Sequence, residues 1–161
     1  SQAALERAAT INDRGYYFDL IEFQKNAEKS MTPSTPSIGH IYALKSKLED
    51  FMEEGLTKRF ERHSKLSKMT RDWATNQGFT IFSEAGYESS TLTCVNNGAK
   101  SGGREVDVVK VQGLMKERGI LIDSGYGKLK GKTFRLSNMG DETNETMESL
   151  YALLDESLNQ L

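Results

Sequence analysis

Lys130-Gly131-Lys132-Thr133-Phe134-Arg135-Leu136-Ser137-Asn138-Met139-Gly140-Asp141 sets one arginine in the middle of a short alternating run. Side chains of a strand point to opposite faces in turn. Phe134 and Leu136 therefore share one face, and Thr133, Arg135 and Ser137 share the other. An arginine on the second face cannot join the core, so it meets water or a ligand. Its guanidinium is permanently charged and forked, which suits a carboxylate gripped by two hydrogen bonds.

Just upstream, Gly125-Tyr126-Gly127-Lys128-Leu129-Lys130-Gly131-Lys132-Thr133 nearly spells a nucleotide-binding phosphate loop. Tyr126 stands where that loop needs its first glycine, and the segment leads into a strand rather than a helix. Nucleotide binding is therefore rejected. Downstream, Thr143 is placed to cap a closing helix with Met147, Leu150, Tyr151, Leu154 and Leu158 on one side.

The rest of the chain follows the same rules. Helices are predicted over about 3–11 and 18–28. Thr35 followed by Pro36 predicts the start of a third helix, with the hydroxyl as cap and proline in the first turn. Its apolar residues Ile38, Ile41, Tyr42, Leu44, Leu48 and Phe51 recur at helical spacing. Gly55 breaks the pattern, and a second stripe runs through Leu56, Phe60, His63, Leu66, Met69 and Trp73. Beyond Gly78, strands are predicted over 79–83, 90–95, 120–123 and 133–137, with a helix over 107–118. The predicted fold class is α+β: a small, mainly antiparallel sheet of about four strands with helices on one face.

The chain has 161 residues, 37% apolar and 27% charged, with a formal charge of −2. That is enough for a packed core and offers no basic patch for nucleic acid. No apolar run approaches the length of a membrane span. The single cysteine, Cys94, excludes an internal disulfide and fits a reducing, cytoplasmic setting. His40 and His63 are far apart, with no cysteine at ligand spacing, so no metal site is expected.

The run around Arg135 resembles the last strand of class V aminotransferases, pyridoxal-phosphate (PLP) enzymes of the alanine–glyoxylate and serine–pyruvate type. These read Gly-Lys-x-x-Arg-(Ile/Leu)-x-x-(Met/Leu)-Gly at this point. The resemblance continues through Thr32-Pro33-Ser34-Thr35-Pro36, Ile41-Tyr42-Ala43-Leu44, Glu54-Gly55-Leu56 and Arg62-His63, in the family's order. It implies the C-terminal part of such an enzyme, with residues 1–36 leading from a preceding large domain and 37–161 forming the small domain of the fold-type I transferases. The first residues, which read like the middle of a helix, agree with that expectation.

The resemblance also implies roles. Arg135 would hold the substrate's α-carboxylate. Thr35, and with it Thr32, would reach the PLP phosphate of the neighbouring subunit in a homodimer. Gly125, Tyr126 and Gly127 would border the active site. The lysine that bonds PLP would lie in the preceding domain, so the chain alone is expected to hold no PLP covalently and to catalyse nothing. The parent would move an amino group from alanine, serine or aspartate to glyoxylate or pyruvate. Two rivals remain: a related PLP lyase or desulfurase, which needs a reactive cysteine on a loop, and a regulatory module without chemistry. Cys94 lies in a predicted strand and reads as buried, which disfavours the desulfurase.

Overall fold

The run around Arg135 forms strand β3 (Thr133–Ser137), the last of three antiparallel strands in the order β1-β2-β3. Its partners are β2 (Leu92–Asn96) and, beyond that, the two-residue β1 (Thr80–Ile81). The computed structural model describes residues 1–161. Six helices accompany the sheet: α1 (Gln2–Ala9), α2 (Leu20–Ala27), α3 (Ile38–Glu54), α4 (Leu56–Asn76), α5 (Val108–Glu117) and α6 (Asn144–Leu158). The chain divides into two compact units, Ser1–Asp50 and Phe51–Leu161, and α3 runs across the division.

The second unit holds the sheet and the core. Val95 pairs with Phe134 and Thr93 with Leu136, and all four are buried. They pack with Leu66, Trp73 and Ala74 of α4, Val111 and Met115 of α5, and Met147, Tyr151 and Leu154 of α6. The Trp73 and Tyr151 rings stack at 5.6 Å, and Phe79 meets Phe134 edge to face at 5.1 Å. The polar ends of the two stacked rings are matched: the Tyr151 hydroxyl bonds Thr70 at 2.8 Å, and Trp73 Nε1 donates to Asp155. Thr143 caps α6 as its sequence position predicts, in a reciprocal box with Thr146.

Three expectations need correction. The sheet has three strands rather than four, because residues 120–123 touch β3 only at Asp123, whose carbonyl accepts the Arg135 N–H at 2.8 Å. The neighbouring Ile122 carbonyl is taken by the Gln112 side chain at 2.8 Å, so no ladder extends. Second, α3 starts at Ile38, not at Thr35 or Pro36, and the Ile41 N–H closes on the Ser37 carbonyl at 3.1 Å. Third, the stripe drawn through α4 is the core face only from His63 onward. Leu56 and Phe60 are exposed, whereas Arg59 is buried to 8%.

Arg59 is buried because it is fully matched. It lies over the Phe51 ring at 3.9 Å, and its Nη1 meets Glu54 Oε2 at 2.8 Å while Nη2 donates to the Gly140 carbonyl at 3.1 Å. Arg62 grips the other side of Glu54, with Nε to Oε1 at 2.6 Å, and donates to the Glu142 carbonyl at 2.7 Å. Gly55, at φ +82, makes the turn between α3 and α4 that lets Glu54 face both arginines. The network pins this turn to the segment just after β3.

The Arg62 and Arg59 guanidiniums hold the Glu54 carboxyl well below its ordinary 4.5, at about 2. A carboxylate whose folded value is depressed stabilises the fold fully above its unfolded value and loses that contribution as pH falls through the folded one. The expected result is that Glu54→Gln lowers the melting temperature near neutral pH. The gap to the parent sequence should close between pH 4.5 and about 2. Thermal melts of both proteins across that range check it, and a gap that stays constant with pH contradicts it.

In the first unit, Ser1 and Asp19 cap α1 and α2, and Asp19 also holds Arg14 at 2.8 Å. No residue of α3 is buried, and its large apolar residues other than the half-buried Phe51, Tyr42 among them, are exposed. No helix is long and apolar enough to cross a membrane.

Candidate functional site: the Arg135 cleft

Alternation along β3 puts Phe134 and Leu136 inward and Arg135 on the opposite face, paired across the sheet with Cys94. Arg135 opens onto a cleft of about 580 Å³ bounded by β3, residues 120–123 and the start of α6. Apolar side chains such as Leu92, Met139 and Leu150 form much of its wall. A site of this size and mixed lining suits a small molecule with one anionic end.

The guanidinium is not bare. Its Nε donates to Asp123 Oδ1 at 2.9 Å, and its Nη2 lies 2.8 Å from Asp123 Oδ2. Asp123 thus grips one edge of the fork in the two-bond geometry expected for a bound carboxylate. The edge formed by Nη1 and Nη2 remains. The pair is partly open to solvent, with 33% of the Arg135 side chain and 47% of the Asp123 side chain exposed. The Arg135 guanidinium holds the Asp123 carboxyl below the usual range, helped by the Gly125 N–H, and Asp123 raises Arg135 in turn.

Asp123 is the residue that sequence reasoning missed. Its signal was available: Ile120 and Ile122 pack against the core, so Leu121 and Asp123 must share the face that carries Arg135. Asp-Ser-Gly is also a turn signature, and the Gly125 N–H donates to Asp123 Oδ1 at 2.7 Å as such a turn requires.

The other predicted site residues fall in two places. Gly125 supports Asp123 directly. Tyr126, 82% exposed, and Gly127 belong to the same loop, and neither they nor Gly125 line the cleft. That loop closes on itself through Gly131 N–H to Ser124 O at 2.8 Å and then enters β3, not a helix. It also covers Thr133, which is buried on the outer face rather than exposed. Thr32 and Thr35 lie in the first unit, and both are exposed. Thr32 Oγ1 donates to the Ser34 carbonyl at 2.7 Å.

Cys94 is half-buried rather than buried, on the Arg135 face, and burial pushes its thiol up, away from the reactive thiolate. His63 is buried, with Nδ1 3.0 Å from the Asn138 carbonyl, a structural role that links α4 to the end of β3. No cluster of three or more histidine, cysteine, aspartate or glutamate side chains has metal-holding geometry.

No family model matches the chain. It is 30% identical over its whole length to an uncharacterized aminotransferase of Methanocaldococcus jannaschii, covering 41% of that protein. It is 30% identical across 84% of its length to the (S)-ureidoglycine–glyoxylate transaminase of Bacillus subtilis, covering 32% of it. It is also 33% identical across 87% of its length to a soluble hydrogenase small subunit of Synechococcus, covering 35% of it. Among solved structures, alanine–glyoxylate aminotransferase from Nostoc superposes with a TM-score of 0.83 at 25% identity, over 98% of this chain and 42% of that one. The aspartate aminotransferase of Thermus thermophilus gives 0.80 at 25% identity, over 99% and 43%. The chain therefore spans less than half the length of these relatives. The homologues and structural neighbours that cover this α+β chain with its arginine strand are class V aminotransferases, and the chain matches their C-terminal part.

Proposed function

We propose that the chain is the C-terminal part of a PLP-dependent aminotransferase, in which Arg135 holds the carboxylate of a small amino acid such as alanine, serine or aspartate. The acceptor is a 2-oxo acid, glyoxylate or pyruvate. The observation that carries this reading is the Arg135 fork. It lies on the non-core face of β3 at an open cleft, already gripping one carboxylate and with a second edge left over. The relatives named as glyoxylate aminotransferases support the reaction class.

In this reading residues 1–36 lead from a preceding large domain and 37–161 form the small domain. The lysine that bonds the cofactor comes from the preceding domain, so the chain alone is inactive. PLP supplies the electron sink and carries the amino group. This chain binds and orients the substrate: Arg135 fixes the carboxylate, and the apolar wall around Leu92 and Leu150 keeps water from the side chain. The exposed Thr35 hydroxyl fits a phosphate, as a free neutral donor. Thr32 fits less well, because its proton is already given to Ser34. Both would serve the neighbouring subunit of a homodimer, and the uncovered apolar residues of α3 support a parent with further surface against them.

The test is spectroscopic. The full-length protein should carry a visible cofactor band that changes when amino acid is added and returns with 2-oxo acid. A colourless protein, or a band that no amino acid perturbs, would refute the reading. A desulfurase is disfavoured by the place and state of Cys94, half-buried in β2 with its thiol held protonated.

A further inference from the structure

A fork that grips a substrate carboxylate must exchange its existing partner or accommodate both. Asp123 holds the Nε–Nη2 edge at 2.9 and 2.8 Å, and it is anchored there twice more, by the Gly125 N–H on its carboxylate and by its own carbonyl on the Arg135 N–H. These anchors keep it on the fork. Among the residues lining the cleft, Arg135 is the one cation, and Asp123 and Glu142 are the two anions. Glu142 is itself tied to Thr146, at the cleft wall. This chain therefore offers an incoming acid an arginine whose charge is already matched, and a second carboxylate, Glu142, on the cleft wall.

We propose that Asp123 is a specificity-determining residue: a built-in carboxylate on the Arg135 fork that admits amino acids with one carboxylate and rejects those with two. The proposal rests on the reading of Arg135 as the carboxylate clamp. A monocarboxylic substrate takes the Nη1–Nη2 edge against one nearby negative charge. An acidic amino acid brings a second carboxylate into a cleft to which this chain supplies no second cation, and like charges a few ångströms apart in a partly buried site repel strongly. The apolar wall has no compensating donor of positive charge. Of the three donors proposed above, alanine and serine are therefore favoured, and aspartate is the disfavoured one.

The experiment uses the full-length protein with its cofactor and compares Asp123→Asn and Arg135→Ala with the parent, on alanine and on aspartate. Asparagine keeps an oxygen for the Gly125 N–H, so the turn survives; Asp123→Ser serves as a second variant with the same acceptor. Removing one charge beside the fork should lower KM for alanine about 10-fold with kcat little changed, and lower KM for aspartate more, so that the preference for alanine narrows about 10-fold. If both KM values rise, Asp123 positions the fork rather than competing for it, and the proposal is overturned. An unchanged alanine-to-aspartate ratio overturns it as well. Arg135→Ala separates the two levels. Raised KM values there with no effect of Asp123→Asn remove only the inference, and unchanged values there remove the clamp on which it rests.

Discussion

Arg135→Ala in the full-length protein is expected to raise KM for every amino-acid and 2-oxo acid substrate by about 100-fold. Hydrogen bonds to charged groups contribute about 1.5–3 kcal/mol each, and the loss of a two-bond carboxylate grip is worth about 3 kcal/mol, or roughly two powers of ten. Asp123 would lose its partner, but nearly half of its side chain is exposed, so water can solvate it and the fold should stand. Arg135→Lys keeps the charge without the fork and should recover only part of the loss. Steady-state kinetics on two donors and one acceptor measure the effect, with melting curves showing that the variants remain folded. KM values within about twofold of the parent would contradict the assignment.

Gly125→Ala is expected to be the most damaging single change in the loop that serves the cleft. A Cβ at this position would stand 2.5 Å from the Leu129 carbonyl oxygen and 2.5 Å from Thr133 Oγ1, and the residue sits at φ +87. The left-handed backbone alone costs an alanine about 1–2 kcal/mol. The clash adds about 1–3 kcal/mol, because one neighbour is backbone and cannot swing away. At about 2–4 °C per kcal/mol for a chain of this size, the melting temperature should fall by roughly 4–20 °C. The same displacement takes the Gly125 N–H from Asp123 and so removes one of the anchors that hold that carboxylate on the Arg135 fork. An unshifted melt would mean that the turn at Asp123 is not packed as described.

How much of this was legible beforehand follows from what periodicity encodes. Alternation in β3 tells which face Arg135 takes, because that depends on two-residue geometry alone. The Thr143 cap and the break at Gly55 are equally local and equally visible. Whether an apolar stripe is buried is not local. Ile41, Tyr42 and Leu44 repeat at helical spacing as convincingly as Leu66 and Trp73, yet only the second set finds a core within this chain. The converse holds for Arg59, a charged residue buried because Glu54, the Phe51 ring and the Gly140 carbonyl converge on it. Asp123 lies between these cases. Its face was legible from Ile120 and Ile122, but its grip on Arg135 depends on a single bridge across 12 residues.

The central claim is that Arg135 recognises a carboxylate in the assembled enzyme. The most direct test is a pair of ligands that differ in that group alone: an amino acid, and the amine that lacks its carboxylate. Spectral titration of the cofactor gives a dissociation constant for each, in the parent protein and in Arg135→Ala. The parent should bind the amino acid about 100-fold more tightly than the amine, and the variant should bind the two nearly alike. Equal discrimination in both proteins would place the carboxylate elsewhere and contradict the account.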